Sequence, residues 1–230
     1  MPTALTPPIF LTPRDLQTNS TLTQHLVDLC NEAFSRSSLN NPEKWTYRPA
    51  SRFPNTQQLL TEFAASESTI AVVLDESDMN QEALVEIPSG NGETRKGRLI
   101  ACAGVAPWKG GWQSKDPGEE KGWEVKTVCV DKAPMYAKKG LAVELLGTLE
   151  EMVVEKEREK LRSLQPEKGP QDNGTRPVIS LWITCAECVN GNYWRKRGFK
   201  EIRRQTYYGI WGCKTSFEML DLKRDIEFDL

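Results

Sequence analysis

In the stretch EVKTVCVDKAPMYAKKGLA, Glu124 to Ala142, an apolar strand ending Val128-Cys129-Val130 runs through a polar loop into Lys138-Lys139-Gly140-Leu141-Ala142. A long helix is expected to begin there, at Lys139, with Leu141, Leu145, Leu149, Met152 and Val153 on its inner face. Backbone N–H groups at a helix start have no intrahelical partner, and the helix dipole favours negative charge beside them. A pyrophosphate would suit that end, and Gly140 would let it approach closely. By spacing alone the pattern is weak, since a strand, a glycine and a helix recur in every α/β fold.

Outward from this stretch, the N-terminal side reads as a short strand Ile9-Phe10-Leu11, then a turn. A helix follows with Leu22, Leu26, Leu29, Cys30, Ala33 and Phe34 in one stripe. A loop through Trp45 and Tyr47 leads to a second helix over Gln57 to Ala65. Strands are expected over Thr69 to Leu74, Arg98 to Ala106 and Trp123 to Val130. Between the first two, Pro88-Ser89-Gly90-Asn91-Gly92 has the turn chemistry of a hairpin tip. Trp108-Lys109-Gly110-Gly111-Trp112 either rims a pocket or covers a sheet edge, tryptophan being useful in both places.

On the C-terminal side, Glu155 to Lys160 is a mixed charge run that reads as a solvated helix face. Gln165 to Pro177 is Pro/Gly-rich, and Val178 to Ile183 is a continuous apolar strand. A short helical segment near Val189 to Lys196 precedes strands over Lys200 to Tyr208 and Thr215 to Leu222. The order is β-α-α-β-β-β-α-β-α-β-β, an α/β (α+β) arrangement of one sheet with helices on its faces. The expectation is a single domain over 1–230, with loop insertions at about 76–97, 107–121 and 163–177.

Charge narrows the function. With 30 Lys+Arg against 32 Asp+Glu, the formal charge of -2 offers no general attraction to nucleic acid or an anionic membrane. No segment reaches the ~18 apolar residues of a membrane span, and the start lacks a signal-peptide pattern. A cytoplasmic or nuclear protein is expected, as monomer or homodimer. The six cysteines are scattered, mostly in apolar runs, and read as reduced core thiols. Cys185-Ala186-Glu187-Cys188 has the spacing of half a zinc or redox site, but no second pair follows, and no metal site is expected. Asn19-Ser20-Thr21 and Asn173-Gly174-Thr175 match the glycosylation sequon, which matters only in a secreted chain.

The stretch at 124–142 resembles the central acetyl-CoA-binding motif of the GNAT acyltransferases, a Val-x-Val strand end followed by Arg/Gln-x-x-Gly-x-Gly/Ala. Ala137 stands where the family prefers Arg or Gln, and the loop Asp131 to Tyr136 is slightly long. A second passage, Asn190-Gly191-Asn192-Tyr193-Trp194-Arg195-Lys196-Arg197-Gly198-Phe199, resembles the family's later helix ending in an aromatic, a basic pair and Gly-Phe. The resemblance is tight across 123–142 and 178–199, and rests on element order elsewhere. It implies a mixed, mostly antiparallel seven-stranded sheet with helices on both faces.

It also implies acetyl-CoA as acyl donor, bound by Val128, Cys129, Val130, Lys138, Lys139, Gly140, Leu141, Ala142, Asn190, Trp194 and Arg197. The acceptor would be a small-molecule or peptide amine attacking the thioester directly, with no cysteine or serine nucleophile. Such an amine must be neutral, so a base helps. Glu124 falls six residues before Val130, where some histone-acetylating relatives keep a glutamate base; otherwise it is a strand residue paired with a lysine. Tyrosine four residues before the Gly-Phe glycine is the usual acid, yet that position is Trp194. Its neighbour Tyr193 either serves instead or packs the core beside it. A non-catalytic acyl-CoA-binding module is the alternative.

Overall fold

The computed structural model describes residues 4–45, 51–78, 84–88, 94–112, 116–164 and 176–230. Tyr47, the hairpin tip at 89–93, most of the linker after 164 and the second sequon lie outside them. The strands are β1 (Ile9–Leu11), β2 (Thr69–Asp75), β3 (Leu84–Pro88), β4 (Thr94–Pro107), β5 (Trp123–Val130), β6 (Val178–Ala186), β7 (Lys200–Tyr208) and β8 (Ser216–Glu227). They form one eight-stranded sheet in the order β1-β2-β4-β5-β6-β8-β7, with β3 paired to β4. Every pairing is antiparallel except β5 with β6. The expected count of seven is corrected by β3, whose short alternation of buried and exposed residues lies within the hairpin expected as a loop insertion.

The helices are α1 (Pro13–Thr18), α2 (Ser20–Leu39), α3 (Thr56–Glu62), α4 (Leu141–Leu164) and α5 (Asn192–Arg195). Helix α1 stands where a turn was expected. Thr12 accepts from the Asp15 N–H while Asp15 accepts from the Thr12 N–H, and Pro13 opens the helix with φ already set. Asn19 is spent on the fold: its side chain caps α2 at the Leu22 N–H and donates to the Glu86 carbonyl.

Two apolar layers flank the sheet. On one face α4 buries Leu141, Leu145, Leu149 and Val153 against Ala71, Val73, Ala103 and Val125. On the other, α2 and α3 bury Leu22, Leu26, Cys30 and Leu59 against Ile70, Val72, Cys102 and Cys129. Each fully buried leucine or valine contributes roughly 1.5–3 kcal/mol. Phe34, expected in the α2 stripe, is exposed at the rim, where Arg52 lies over its ring. The far turns of α4 carry the charge run on a solvated face, with Arg158 paired to Glu155 and Lys160 to Glu157. Among the described residues no helix is long and apolar enough to cross a membrane.

Candidate functional site

Strand β5 enters the sheet at Gly122, whose φ of +126° and contact with β6 admit no side chain. A Cβ there would lie 2.1 Å from the Ser180 carbonyl oxygen. The close approach pairs Trp123 with Leu181 and Glu124 with Trp182, and there the parallel ladder stops. From Val125 onward, β5 stays with β4 while its edge toward β6 has no ladder partner, so the two strands splay into a cleft. Thr127, at φ +51°, makes a bulge in β5, and the β4 register shifts between Cys102 and Gly104. Alternation therefore resets: Val125 faces α4, whereas Cys129 packs on the α2 side.

The loop after β5 delivers the helix start. Gly140, at φ +83°, accepts from the N–H groups of Val143 and Glu144, which makes it the N-cap residue of α4. The helix thus begins at Leu141, two residues later than expected. Having no side chain, Gly140 leaves the end uncapped, and the N–H groups of Gly140, Leu141 and Ala142 have no acceptor among the described residues. A Cβ on Gly140 would meet nothing within 4 Å, so the space before the helix is open. Lys138 and Lys139 are exposed beside it and make no ion pair among the described residues. Orphan donors, a positive dipole end and two free ammonium groups fit a polyanion, and the open space fits its approach.

Glu124 is both the candidate base and a member of a half-buried charge chain. Its carboxylate pairs with the Lys126 ammonium at 2.8 Å, and Lys126 lies 3.7 Å from Glu62 on α3. Glu62 in turn takes a bidentate pair from Arg52, both contacts at 2.6 Å. Burial raises the Glu62 carboxyl, but Arg52 and Lys126 outweigh it and hold it below the ordinary range. Glu62 and Arg52 were missed by sequence reading, because their link to β5 spans some sixty residues and leaves no local pattern. The chain puts Glu124 on the α3 face of the sheet.

Tyr193 and Trp194 sit on the opposite face. Strand β6 ends in a π-helical turn, Glu187–Gly191, that feeds α5, and Trp194 packs into the α4-side core against Phe199. The Tyr193 hydroxyl and the Trp194 indole N–H are buried without partners among the described residues, as is the Thr127 hydroxyl at the bulge. Such groups are rare in folded proteins unless something outside the chain satisfies them. Burial holds the Tyr193 phenol above its ordinary range, although Arg197, 3.4 Å from the ring centroid, opposes it. Asn190, half-buried in the π-helical turn, makes no side-chain hydrogen bond among the described residues. Val128 and Val130 are half-buried at the cleft, and the Val130 carbonyl accepts from Arg36 at 2.8 Å.

The two loop tryptophans divide between the two expected roles. Trp108 is buried, stacks on Trp182 at 4.5 Å and donates to Glu120, covering the start of the β5–β6 pair. Trp112 is exposed, edge-on to Tyr207 and Trp211, in an open groove of ≈ 570 Å³ that also includes Arg203 and Asp221. All six cysteines are free thiols, and Cys185 is buried while Cys188 is half-buried. Cys30, Cys102 and Cys129 bring their sulfurs within 4.8 Å of one another between α2 and the sheet, a cluster their sequence spacing does not reveal.

No protein-family profile matches the chain, and no curated protein matches its sequence. Among solved structures, a candidate acetyltransferase from Acinetobacter baylyi ADP1 is similar, with TM-score 0.52 and 14% identity over 98% of this chain and 95% of that one. Arabidopsis thaliana NAA60 in complex with a bisubstrate analogue aligns over 98% of each chain at 13% identity and TM-score 0.47. An acetyltransferase of the GNAT family from Streptococcus pneumoniae aligns over 95% and 99% at 14% identity and TM-score 0.46. The chain shares the fold of the Acinetobacter protein. At these identities the likeness is one of fold, and activity has to be argued from the site.

Proposed function

We propose that the whole chain is one acyltransferase domain that moves the acetyl group of acetyl-CoA onto a primary amine. The observation that carries this reading is the continuity of the cleft with the uncapped helix: β5 splays from β6 and runs directly into the orphan N–H groups of Gly140, Leu141 and Ala142. Those groups, with Lys138 and Lys139, would hold the pyrophosphate. The edge of β5 at Val128 to Val130, apart from the Val130 carbonyl that Arg36 holds, would pair with the pantetheine amides, and the Asn190 amide, Trp194 and Arg197 would line the opposite wall. Acetyl-CoA supplies an activated acyl group as a thioester.

The remaining chemistry falls to the chain. Glu124, on the α3 face, accepts the proton of the attacking amine, directly or through water. Tyr193, on the α4 face, carries its phenol proton at neutral pH as an ordinary tyrosine does, and donates it to the departing thiolate. Base and acid on opposite faces of the cleft suit an amine that enters from one side and a thiolate that leaves on the other. The acceptor is a small-molecule or peptide amine, approached past the exposed rings of Trp112 and Trp211 and the half-buried Tyr207.

The first test is thermal unfolding with excess acetyl-CoA, using ATP and NAD as controls. At ~100 times the dissociation constant, binding adds about 2.7 kcal/mol, several degrees for a chain of this length. No shift with acetyl-CoA would end the reading. Glu124→Gln is then expected to cut turnover at neutral pH by roughly 10²–10⁴-fold with donor affinity unchanged. One observation favours the non-catalytic alternative: Lys126 already occupies the Glu124 carboxylate. Amine-dependent release of CoA separates the two.

A further inference from the structure

The loop from 131 to 140 is exposed or half-buried at every residue but one, Tyr136. Its ring packs in the α4-side core with Ala71 and Val73, and its hydroxyl donates to the Asp75 carboxylate at 2.7 Å. Asp75, the last residue of β2, is itself only 1% exposed. A buried carboxylate is costly unless hydrogen-bonded, and the donors that meet it include the Tyr136 hydroxyl, the Ser77 hydroxyl and the backbone N–H groups of Ser77 and Asp78. A second tether stands at the loop's entry, where Arg98 on β4 holds Asp131 at 2.6 Å and Asp131 accepts from the Ala133 N–H.

Besides Tyr136, only the small side chain of half-buried Ala133 packs the middle of the loop on the α4-side core among the described residues. Two backbone bonds, from Tyr136 to the Ala133 carbonyl and from Ala137 to that of Pro134, close the turn on itself. Beyond Tyr136 the chain takes two left-handed steps, at Lys138 and Gly140, before the helix begins. Lys138 carries a Cβ that disfavours this conformation by about 1–2 kcal/mol, so the segment needs an outside restraint to keep it.

We infer that the Tyr136–Asp75 hydrogen bond is a latch that orders this segment, so that the N–H groups of Gly140, Leu141 and Ala142 converge on the donor's pyrophosphate. Tyr136 is then a positioning residue for donor binding, and Asp75 acts through it. The inference rests on the proposed acyl-CoA reading and adds to it the source of the preorganisation. Affinity rises when a binding loop is held in its bound conformation beforehand, because less ordering remains to be done on binding.

The test compares two donors: acetyl-CoA, and S-acetylpantetheine, which lacks the pyrophosphate. Tyr136→Phe keeps the ring and removes the latch. It is expected to weaken acetyl-CoA about tenfold while changing S-acetylpantetheine less than about twofold. Without ligand, hydrogen exchange across 137–143 should speed up while the amides of β4 keep their protection. Ser77→Ala removes a different bond to Asp75 and should leave donor preference and loop exchange unchanged, which separates the latch from general loosening. Asp75→Asn keeps a polar partner for Tyr136 and should fall between wild type and Tyr136→Phe. Equal losses for both donors, or unchanged exchange in Tyr136→Phe, overturns the latch. If wild type itself fails to bind acetyl-CoA, the acyl-CoA reading falls as well, and the exchange data show separately whether Tyr136 orders the loop.

Discussion

The two ends of the cleft differ in how completely the protein satisfies itself. On the proposed donor side the helix start is uncapped, and among the described residues the Lys138 and Lys139 ammonium groups and the buried polar atoms of Thr127, Tyr193 and Trp194 have no partner. Around the β7–β8 hairpin almost every charge has an answer. Arg203 pairs with Glu120 and Asp221, while Arg204 and Arg195 share Glu187 and Glu201. These two arginines, Arg204 first, hold the Glu201 carboxyl down to about 2. The aromatic rings of Trp45, Phe217, Trp211, Tyr207 and Trp112 pack on one another there. The donor side is built to be completed by a ligand of fixed chemistry. The acceptor side is closed upon itself, and a substrate must compete with contacts already made.

The largest expected effect separates Trp108 from Trp112. Trp108→Ala empties a buried stack against Trp182 and frees Glu120 and Arg203 from their anchor, so it should cost about 3–5 kcal/mol in denaturant unfolding. Trp112→Ala removes an exposed ring and should leave stability within about 0.5 kcal/mol, while raising the KM of a responsive acceptor severalfold with donor affinity unchanged. If Trp112→Ala alters no acceptor's rate, the aromatic groove has no part in acceptor binding.

A smaller effect lies between the two ends, in the chain Arg52–Glu62–Lys126–Glu124. Glu62→Gln leaves Arg52 without its bidentate carboxylate and is expected to lower stability by about 3 kcal/mol at pH 7. The folded-state pKa of Glu62 is depressed, so its contribution is complete above the ordinary carboxylate value of ~4.3 and is lost as pH falls through the folded value. The difference between wild type and Glu62→Gln should therefore be flat near neutrality and shrink in acid. A difference that persists unchanged to pH 2 would mean that Glu62 titrates alike folded and unfolded.

This contrast also explains which parts of the molecule could be read in advance. Strands β5 and β7 match their expected spans residue for residue: β5 ends in the apolar Val128-Cys129-Val130, and the polar β7 lies between the left-handed glycines Gly198 and Gly209. Strand β8 runs on to Glu227 rather than Leu222: Lys223, Arg224 and Asp225 look like a polar tail, yet they pair with β6. The donor loop was legible because it depends on backbone groups, whose spacing a glycine and a strand end disclose. The bulge was not, since threonine at φ +51° gives no signal, and neither were Glu62, Arg52 or the Asp75 latch, which reach their partners through the fold. Paired charges at long range leave a sequence that looks merely solvated.

The smallest effect tests the donor side at one residue with two opposed consequences. Lys138 holds φ +58°, where a Cβ costs about 1–2 kcal/mol, and glycine adopts this conformation without that cost. Glycine's extra freedom when unfolded offsets about 0.5–1 kcal/mol of the relief, so Lys138→Gly should stabilise the free protein by no more than ~1.5 kcal/mol. The same change removes an unpaired ammonium beside the orphan N–H groups, and an exposed charge contact is worth about 0.2–1 kcal/mol, so acetyl-CoA should bind roughly two- to fivefold more weakly. That loss should fade as salt is raised, because the interaction it removes is screened. Unfolding curves with and without acetyl-CoA read both numbers from one variant. A protein that gains stability yet binds the donor unchanged at low salt would confine the anion site to the backbone groups, with Lys138 serving only as a strained turn residue.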